Sequence, residues 1–265
     1  MYEFNYHRPA SLDEAKQILA GNDEAKLLAG GMTLLPTMKM RLARPSDLVD
    51  LSGIDELNGI SADGDAVVIG AMTRHADVAG SDVVRSAIPA LADLAEEIGD
   101  AQVRNRGTIG GSLANSDPAA DYPAAVLGLG ATIRTDRREI AADDYFQGLF
   151  DTALEDDELI VSVSFPTPKR AAYAKFPNPA SRYAVTGVMV AETGDGIRVA
   201  VTGAGACVFR ATAFEEALAG SFTADALAGL SVVADDLNSD IHASAEYRAH
   251  LVTVMAKRAV QALGG

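Results

Sequence analysis

Residues 104–115 read Arg-Asn-Arg-Gly-Thr-Ile-Gly-Gly-Ser-Leu-Ala-Asn, with three glycines, hydroxyl groups at Thr108 and Ser112, and an amide at Asn115. Because glycine lacks a Cβ atom, its backbone can turn through positive φ angles and its N–H group can approach a ligand closely. A run of such N–H groups forms a concavity that holds phosphate. A shorter stretch, Ala-Gly-Gly-Met-Thr, stands at residues 29–33. Two such loops predict a ligand with two phosphates, and therefore a dinucleotide.

The sequence around the first loop predicts a β-α-β start. Ser11-Leu12-Asp13-Glu14 has the pattern of a capping box and predicts a helix. A short strand over residues 26–28 runs directly into the glycines, and a helix is expected over residues 34–40. This order of strand, glycine turn and helix presents N–H groups to a phosphate. Neither glycine loop matches the Rossmann pattern G-x-G-x-x-G, which disfavours nicotinamide binding of that type.

The rest of the chain is predicted as an alternation of strands and helices. A hairpin is expected over residues 59–70, turning at Asp63-Gly64, and an amphipathic helix over residues 91–98. Prolines at four positions predict a boundary segment over residues 166–180. The other expected elements are helices at 118–129, 211–219, 224–230 and 243–263, and strands at 46–51, 131–135, 159–165, 184–191 and 197–202.

The composition is that of a globular protein with an acidic surface. The 265 residues suffice for a full core, split into two or three subdomains. The net charge of −15 disfavours nucleic acid as a partner, because proteins that bind it usually carry a basic stripe. No apolar run approaches the roughly 18 residues of a membrane span. The first four residues resemble no signal peptide, so a cytoplasmic location is expected.

The few cysteines and histidines predict no metal centre in this chain. Cys207 is the only cysteine, which excludes an internal disulfide, a Cys-type zinc site and an iron–sulfur cluster held by this chain alone. It is expected to be a small buried apolar residue. His7, His75, His242 and His250 show no metal-ligand spacing, and His75 is expected to cap a helix or to be solvated. Because hydrolytic and nucleophilic motifs are also missing, a cofactor would have to supply any chemistry.

On these residues the chain resembles the FAD-binding medium subunits of the molybdenum hydroxylases, the family of carbon monoxide dehydrogenase and xanthine dehydrogenase. The resemblance covers essentially the whole length. The stretches that carry it are residues 28–36 and 69–73, residues 103–121 with Asp-Pro-Ala-Ala-Asp at the end, residues 158–160, 175–176 and 182–184, and Ser-Ala-Glu-Tyr-Arg at 244–248. Two positions depart from the common pattern: Met32 stands where a polar residue is frequent, and Tyr122 stands where leucine is usual.

The resemblance implies an α+β fold with an FAD-binding domain of two subdomains, of the PCMH or vanillyl-alcohol-oxidase-like type. A C-terminal domain with a three-stranded antiparallel sheet and helices would follow. The implied boundaries are 1–52 for the first subdomain, 53–168 for the second and 169–265 for the C-terminal domain. FAD would lie across the two subdomains, with its pyrophosphate between the glycine loops.

The resemblance also implies the cofactor-binding residues. The first phosphate loop would consist of Ala29, Gly30, Gly31, Met32, Thr33 and Leu34, and the second of Gly107, Thr108, Ile109, Gly110 and Gly111, with Thr73, Ser112 and Asn115 nearby. A side chain at Gly110 is expected to clash with the pyrophosphate. For the second loop, a tight connection between subdomains is the alternative reading.

Four further positions match residues around the rings of the cofactor. Asp121 corresponds to an acid near the adenosine ribose, and Leu159 or Ile160 to an apolar contact with the ring systems. Lys175 corresponds to a basic residue near the flavin, where it would stabilise negative charge on a reduced ring. Tyr183 corresponds to an aromatic side chain beside the isoalloxazine. The alternatives are a solvated Lys175 and a Tyr183 that belongs to the core. No catalytic residue is expected beyond the FAD itself.

The resemblance finally implies a role within a larger oxidoreductase. A small subunit with [2Fe–2S] clusters and a large subunit with molybdopterin would be its partners, in a dimer of heterotrimers. Electrons would pass from the clusters through FAD to an external acceptor. The alternatives are a stand-alone FAD-dependent oxidoreductase and a flavin-free assembly protein on the same fold. The substrate and the acceptor, which could be a quinone, NAD, oxygen or a protein, are left open.

Overall fold

In the computed structural model, which describes residues 1–265, the first fifty residues build a parallel sheet of three strands. Its members are β1 (Asn5–His7), β2 (Ala25–Leu28) and β3 (Asp47–Asp50), in the order β1-β3-β2. Helix α1 (Leu12–Ala20) starts at the predicted capping box, where the Ser11 hydroxyl accepts the N–H of Glu14 and the Glu14 carboxylate accepts that of Ala10. Helix α2 (Leu34–Lys39) follows the first glycine loop, as predicted.

The middle of the chain forms an antiparallel sheet of five strands. Its members are β4 (Ile60–Asp63), β5 (Ala66–Gly70), β6 (Thr132–Thr135), β7 (Glu139–Ala141) and β10 (Ile160–Pro166), in the order β4-β5-β10-β6-β7. The hairpin at Asp63-Gly64 is confirmed, and Gly64 there has a φ of +58°. A small hairpin pairs β8 (Phe146–Gly148) with β9 (Asp151–Thr152).

Seven helices connect these strands and cover the sheet. They are α3 (His75–Gly80), α4 (Asp82–Ala87), α5 (Pro89–Glu96), α6 (Ala101–Arg104), α7 (Ile109–Asn115), α8 (Tyr122–Gly128) and α9 (Ala142–Tyr145). The predicted amphipathic helix is α5, which buries Leu91 and Leu94 completely. Helix α7 begins inside the second glycine loop.

The C-terminal sheet has four antiparallel strands, so the expected three-stranded sheet was wrong. The strands are β11 (Arg170–Pro177), β12 (Ala184–Thr193), β13 (Gly196–Thr202) and β14 (Phe209–Arg210), in chain order. Strand β14 has only two residues, too few to show an alternating pattern. Strand β11 lies in the predicted proline-rich boundary segment, which it can occupy because it is an edge strand and Pro177 is its last residue.

Helices α10 (Thr212–Gly220) and α11 (Ala245–Ala262), with a 3₁₀ turn at Ala224–Leu227, cover one face of this sheet. Its other face packs on the five-stranded part of the chain, and Met189 and Ala200 belong to the same continuous core as Val163 and Leu91. A Cβ atom on Gly128 of α8 would lie 2.7 Å from Cγ of Met189. The contact between the two parts is therefore close-packed and apolar.

The C-terminal sheet also bonds to the backbone of residues 117–121. Three donors at the ends of β12 and β13 bind consecutive carbonyl oxygens there: Gly203 N to Pro118 O (2.7 Å), Ala184 N to Ala119 O (3.2 Å) and Thr202 Oγ1 to Ala120 O (2.6 Å). The conformation of this segment therefore depends on the C-terminal part of the chain. The predicted division at residues 52 and 168 stays a prediction. No helix of the chain is both long and apolar enough to cross a bilayer.

Candidate functional site

The two glycine loops touch each other. A Cβ atom on Gly30 would overlap the backbone of Arg106 and would lie 2.7 Å from Cα of Gly107. On the other side, a Cβ atom on Gly111 would lie 3.2 Å from Cβ of Ala29. Both distances are below normal van der Waals contact, so the loops pack this closely only because both carry glycine. Gly31 adds a turn with a φ of +73°.

The first loop offers a row of free backbone donors. The N–H groups of residues 30–34 have no acceptor within the protein, and the Thr33 hydroxyl makes no side-chain bond. Since backbone N–H groups are strong donors that need a partner, such a row is suited to an anion or to water. This loop therefore fits the phosphate role that its sequence predicts.

The second loop is arranged differently, because all of its backbone N–H groups except that of Thr108 are used inside the protein. The N–H of Ile109 binds the carbonyl of Thr73 (3.1 Å) and that of Gly110 binds the carbonyl of Ala71 (2.8 Å). The hydroxyl of Thr108 caps α7 by accepting the N–H of Gly111 (3.2 Å). The free donors on this side include the backbone N–H of Thr108 and the side chains of Ser112 and Asn115, none of which donates a hydrogen bond to protein atoms.

Both loops line one cleft of about 650 Å³, a volume within the range of small-molecule sites. Most of the predicted site residues lie on its wall: Ala29, Gly30, Gly31, Met32, Thr33, Leu34, Gly107, Thr108, Gly110, Gly111, Ser112, Asn115, Asp121, Leu159, Ile160 and Tyr183. Three predicted residues do not line it. Thr73 bonds Gly59 through its hydroxyl, Ile109 is fully buried in the core, and Lys175 lies behind the wall.

Asp121 and Lys175 form a buried ion pair. Nζ of Lys175 lies 2.9 Å from Oδ2 of Asp121 and 3.0 Å from the carbonyl oxygen of Glu97, and the Lys175 side chain is 2% exposed. The Tyr173 hydroxyl donates to the other carboxylate oxygen of Asp121 at 2.6 Å. Burial raises the pKa of Asp121, while Lys175 and Tyr173 act in the opposite direction.

Tyr173 was missed by the sequence reasoning. A signal for it existed, because residues two apart in a strand point to the same face, so Tyr173 and Lys175 share one side of β11.

The ion pair also limits the roles that were expected of Asp121 and Lys175. Asp121 was expected near the adenosine ribose and Lys175 near the flavin, which are opposite ends of an extended dinucleotide. Both roles stay predictions, but the bond between the two side chains puts Asp121 and Lys175 beside the same part of any bound cofactor.

Apolar and polar residues both line the cleft. Among the apolar ones, Leu159 packs with Leu19 and Leu51, and its N–H donates to Oδ1 of Asp136 (2.9 Å). The neighbouring Glu158 accepts a charged hydrogen bond from Arg138, which together with its other bonds lowers the pKa of Glu158 to about 2.

The lining also includes Asp117, Asp121 and Tyr183. Burial raises the pKa of Tyr183, and the negative charges of the two carboxylates raise it further. The Tyr183 side chain is 46% exposed, so it is not a core aromatic. It follows Arg182, which has a φ of +62°. The turn is closed by a bond from the N–H of Asn178 to the carbonyl of Tyr183 (2.8 Å).

His75 was expected to cap a helix or to be solvated, and both expectations were wrong, because its side chain makes no capping bond and Nδ1 is buried without a partner. It is the first residue of α3 but only 5% exposed, and its ring fills the space beside Gly107, where a Cβ atom would lie 2.8 Å from Cδ2 of the ring. Burial, with a smaller effect of Arg104, lowers the pKa of His75 to about 4. The histidine is therefore neutral at pH 7 and brings no charge to the cleft.

Cys207, which was expected to be buried, is half-buried.

Two family profiles together cover nearly the whole chain. Residues 2–168 match the FAD binding domain in molybdopterin dehydrogenase, and residues 171–263 match the CO dehydrogenase flavoprotein C-terminal domain.

Characterised relatives match over almost their full length. The chain is 38% identical to the carbon monoxide dehydrogenase medium chain of Hydrogenophaga pseudoflava, over 98% of this chain and 96% of the relative. It is 36% identical to the nicotine 6-hydroxylase medium subunit of Paenarthrobacter nicotinovorans, with the same coverage. A solved structure of the Hydrogenophaga carbon monoxide dehydrogenase, which lacks the Mo-pyranopterin moiety, superposes with a TM-score of 0.88 at 38% identity over 98% of this chain and 97% of that chain.

Proposed function

We propose, from the premise that this chain belongs to the FAD-binding medium subunits of the molybdopterin dehydrogenases, that it carries electrons from [2Fe–2S] clusters of a partner subunit to an external acceptor. The chain is a flavoprotein subunit of the kind found in multi-subunit molybdenum hydroxylases. FAD, when bound, supplies the electron-accepting and electron-donating chemistry. The protein binds and orients it.

The observation that supports FAD most directly is the row of free N–H groups at residues 30–34, opposite the free side chains of Ser112 and Asn115. Together they supply neutral donors on two sides of one cleft. A pyrophosphate carries two negative charges, and in a chain of net charge −15 neutral donors can hold it without an added cluster of cations. We assign the first loop as the main phosphate holder and the second loop as a source of side-chain donors and of one backbone N–H, that of Thr108.

The lining of the cleft suggests an orientation for the cofactor. The apolar side chain of Leu159 is suited to the adenine ring. Tyr183, with the Asp121–Lys175 pair, is suited to the flavin and its ribityl chain. Under this assignment the expected contact of Asp121 with the adenosine ribose is given up. The carboxylate keeps free lone pairs, because an ionised carboxylate offers about four acceptor sites and the structure uses one on each oxygen.

The proposed partners are an iron–sulfur small subunit and a molybdopterin large subunit, in a dimer of heterotrimers. One cysteine cannot hold a [2Fe–2S] cluster, which needs several thiolates, so that step belongs to another chain. The relatives act on molecules as different as carbon monoxide and nicotine, so this chain does not define the substrate. A cytoplasmic location is part of the proposal.

The proposal is tested by reconstituting the purified chain with FAD. We expect one FAD per chain, measured by flavin absorption after gel filtration, and reoxidation of the dithionite-reduced protein by an artificial dye. We expect no turnover of aldehydes or N-heterocycles until the partner subunits are added. Turnover by the chain alone would favour a stand-alone oxidoreductase. A colourless chain after reconstitution would favour an assembly protein.

A further inference from the structure

The hydroxyl of Tyr173 reaches the cleft wall from the C-terminal sheet. The hydroxyl oxygen lies 2.6 Å from Oδ1 of Asp121, and the ring is partly buried against the main apolar core. Burial, followed by the charge of Asp121, raises the pKa of Tyr173 well above its usual value. The hydroxyl therefore keeps its proton, and it donates while the carboxylate accepts.

The neighbouring strand leaves room for this hydroxyl. Gly187 on β12 is paired with Lys175, next to Tyr173 across the sheet. A Cβ atom on Gly187 would lie 2.8 Å from Cζ of Tyr173 and closer still to the hydroxyl oxygen. Any side chain at residue 187 would displace the tyrosine from Asp121, so the glycine and the hydroxyl form one arrangement.

The Asp121 carboxylate is therefore hydrogen-bonded on the side that faces away from the cleft. Lys175 takes Oδ2 and Tyr173 takes Oδ1, both from β11, and Asp121 also lines the cleft. With both oxygens held, the free lone pairs have a defined direction. We propose that Tyr173 is a positioning residue for FAD binding. Its hydroxyl, in the space left by Gly187, orients Asp121 to accept a hydrogen bond from a hydroxyl or ring N–H of the cofactor. This inference rests on the proposed function.

The charges around Asp121 determine how pH acts on this arrangement. Lys175 and Tyr173 face it from β11, Glu97 from the residue that follows α5, and Tyr183 from the loop after β11, while Tyr122 follows it in α8. Lys175 is the single cation among these groups. Loss of the Tyr173 hydroxyl removes one of the influences that lower the pKa of Asp121, so the carboxylate is protonated at a higher pH.

The test measures FAD affinity of the full chain between pH 5 and pH 9, by the fluorescence of released flavin. For Tyr173→Phe we expect about tenfold weaker binding at pH 7, the typical effect of one lost hydrogen bond to a charged group. We also expect the acidic loss of affinity to move to higher pH. Gly187→Ala should give the same two changes. Tyr145→Phe is the matched control, because that hydroxyl, at the end of α9, is buried and makes no hydrogen bond to Asp121.

A double-mutant comparison separates positioning from general stability. If Tyr173 acts through Asp121, then Tyr173→Phe in an Asp121→Asn background should weaken FAD binding no further. An equal loss in both backgrounds, or unchanged affinity and pH profile in both Tyr173→Phe and Gly187→Ala, would overturn the inference while leaving the proposed function intact. A wild-type chain that binds no FAD would instead overturn the proposed function.

Discussion

Nζ of Lys175 lies 2.9 Å from Oδ2 of Asp121, and this bond joins an edge strand of the C-terminal sheet to the residue that precedes helix α8. Both side chains are at most 4% exposed. A buried charge that loses its partner is strongly destabilising, because the remaining ion is neither solvated nor compensated. The pair is therefore a structural requirement of the cleft wall as well as a feature of the site.

Replacing Lys175 by methionine should lower the free energy of unfolding by about 3–5 kcal/mol, measured by urea denaturation at pH 7. Lys169→Met is the matched control on the same side of the sheet. Its ammonium group pairs with Glu192 but is 70% exposed, so we expect a loss of at most about 1 kcal/mol. Equal effects of the two substitutions would contradict the role given to the buried pair.

A negative charge at Met32 should weaken FAD binding without unfolding the chain. Met32 stands in the row of free N–H groups and is 39% exposed, so Met32→Glu costs little in packing but repels the pyrophosphate. We expect at least about tenfold weaker binding, since two like charges near a protein surface at a few ångströms repel by several kcal/mol before screening. Met32→Lys should strengthen binding, and both effects should shrink in high salt.

Met40 supplies the control for that experiment. It follows the other end of α2 and is 65% exposed, so Met40→Glu changes the same charge on the same helix away from the cleft. The FAD affinity of the Met40→Glu variant should stay within about twofold of the wild type, because salt screens the interaction between distant surface charges. A comparable loss at both positions would show that net charge, rather than the first glycine loop, determines the affinity.

Gly110→Val should destabilise the fold instead of blocking the cofactor alone. The sequence suggested a clash with the pyrophosphate, but a Cβ atom at Gly110 would lie 2.6 Å from Cβ of Ala71 and 2.7 Å from its carbonyl oxygen. We expect a loss of roughly 2 kcal/mol or more in thermal denaturation of the FAD-free chain, as for overpacking of a core. Gly80→Ala, where a Cβ atom meets nothing within 4 Å, is the control.

Acid should destabilise the chain through His75 in particular. Its pKa is about 4 in the folded chain against 6.5 when unfolded, so between these values the unfolded chain binds more protons. Stability should therefore fall as the pH is lowered from about 6.5 to about 4, by up to roughly 3 kcal/mol. Urea denaturation at pH 7 and pH 4.5 measures this loss. His75→Gln should reduce it, whereas the exposed His242→Gln should leave it as in the wild type.

The sequence predicted those features that depend on neighbours along the chain. The capping box at Ser11, the hairpin at Gly64 and both glycine loops are local patterns, and each lies where it was expected. The family could be recognised for the same reason, because its motifs are short contiguous stretches.

What the sequence could not predict depends on contacts between distant segments. The N–H of Gly110 is used by a carbonyl of Ala71, and Lys175 bonds a carboxylate 54 positions away. Neither partner can be read from local spacing, so the second loop was expected to hold phosphate through its backbone. The burial of His75 against Gly107 was missed because it arises from the packing of α3 on the loop before α7.

The backbone bonds from the C-terminal sheet to residues 117–121 have a consequence for any truncation of the chain. A chain cut after residue 168 would keep both glycine loops, yet it would lose the donors that shape one wall of the cleft. Neither of the two matched segments, residues 2–168 and 171–263, therefore keeps the whole cleft wall by itself, so the proposed cofactor site depends on both.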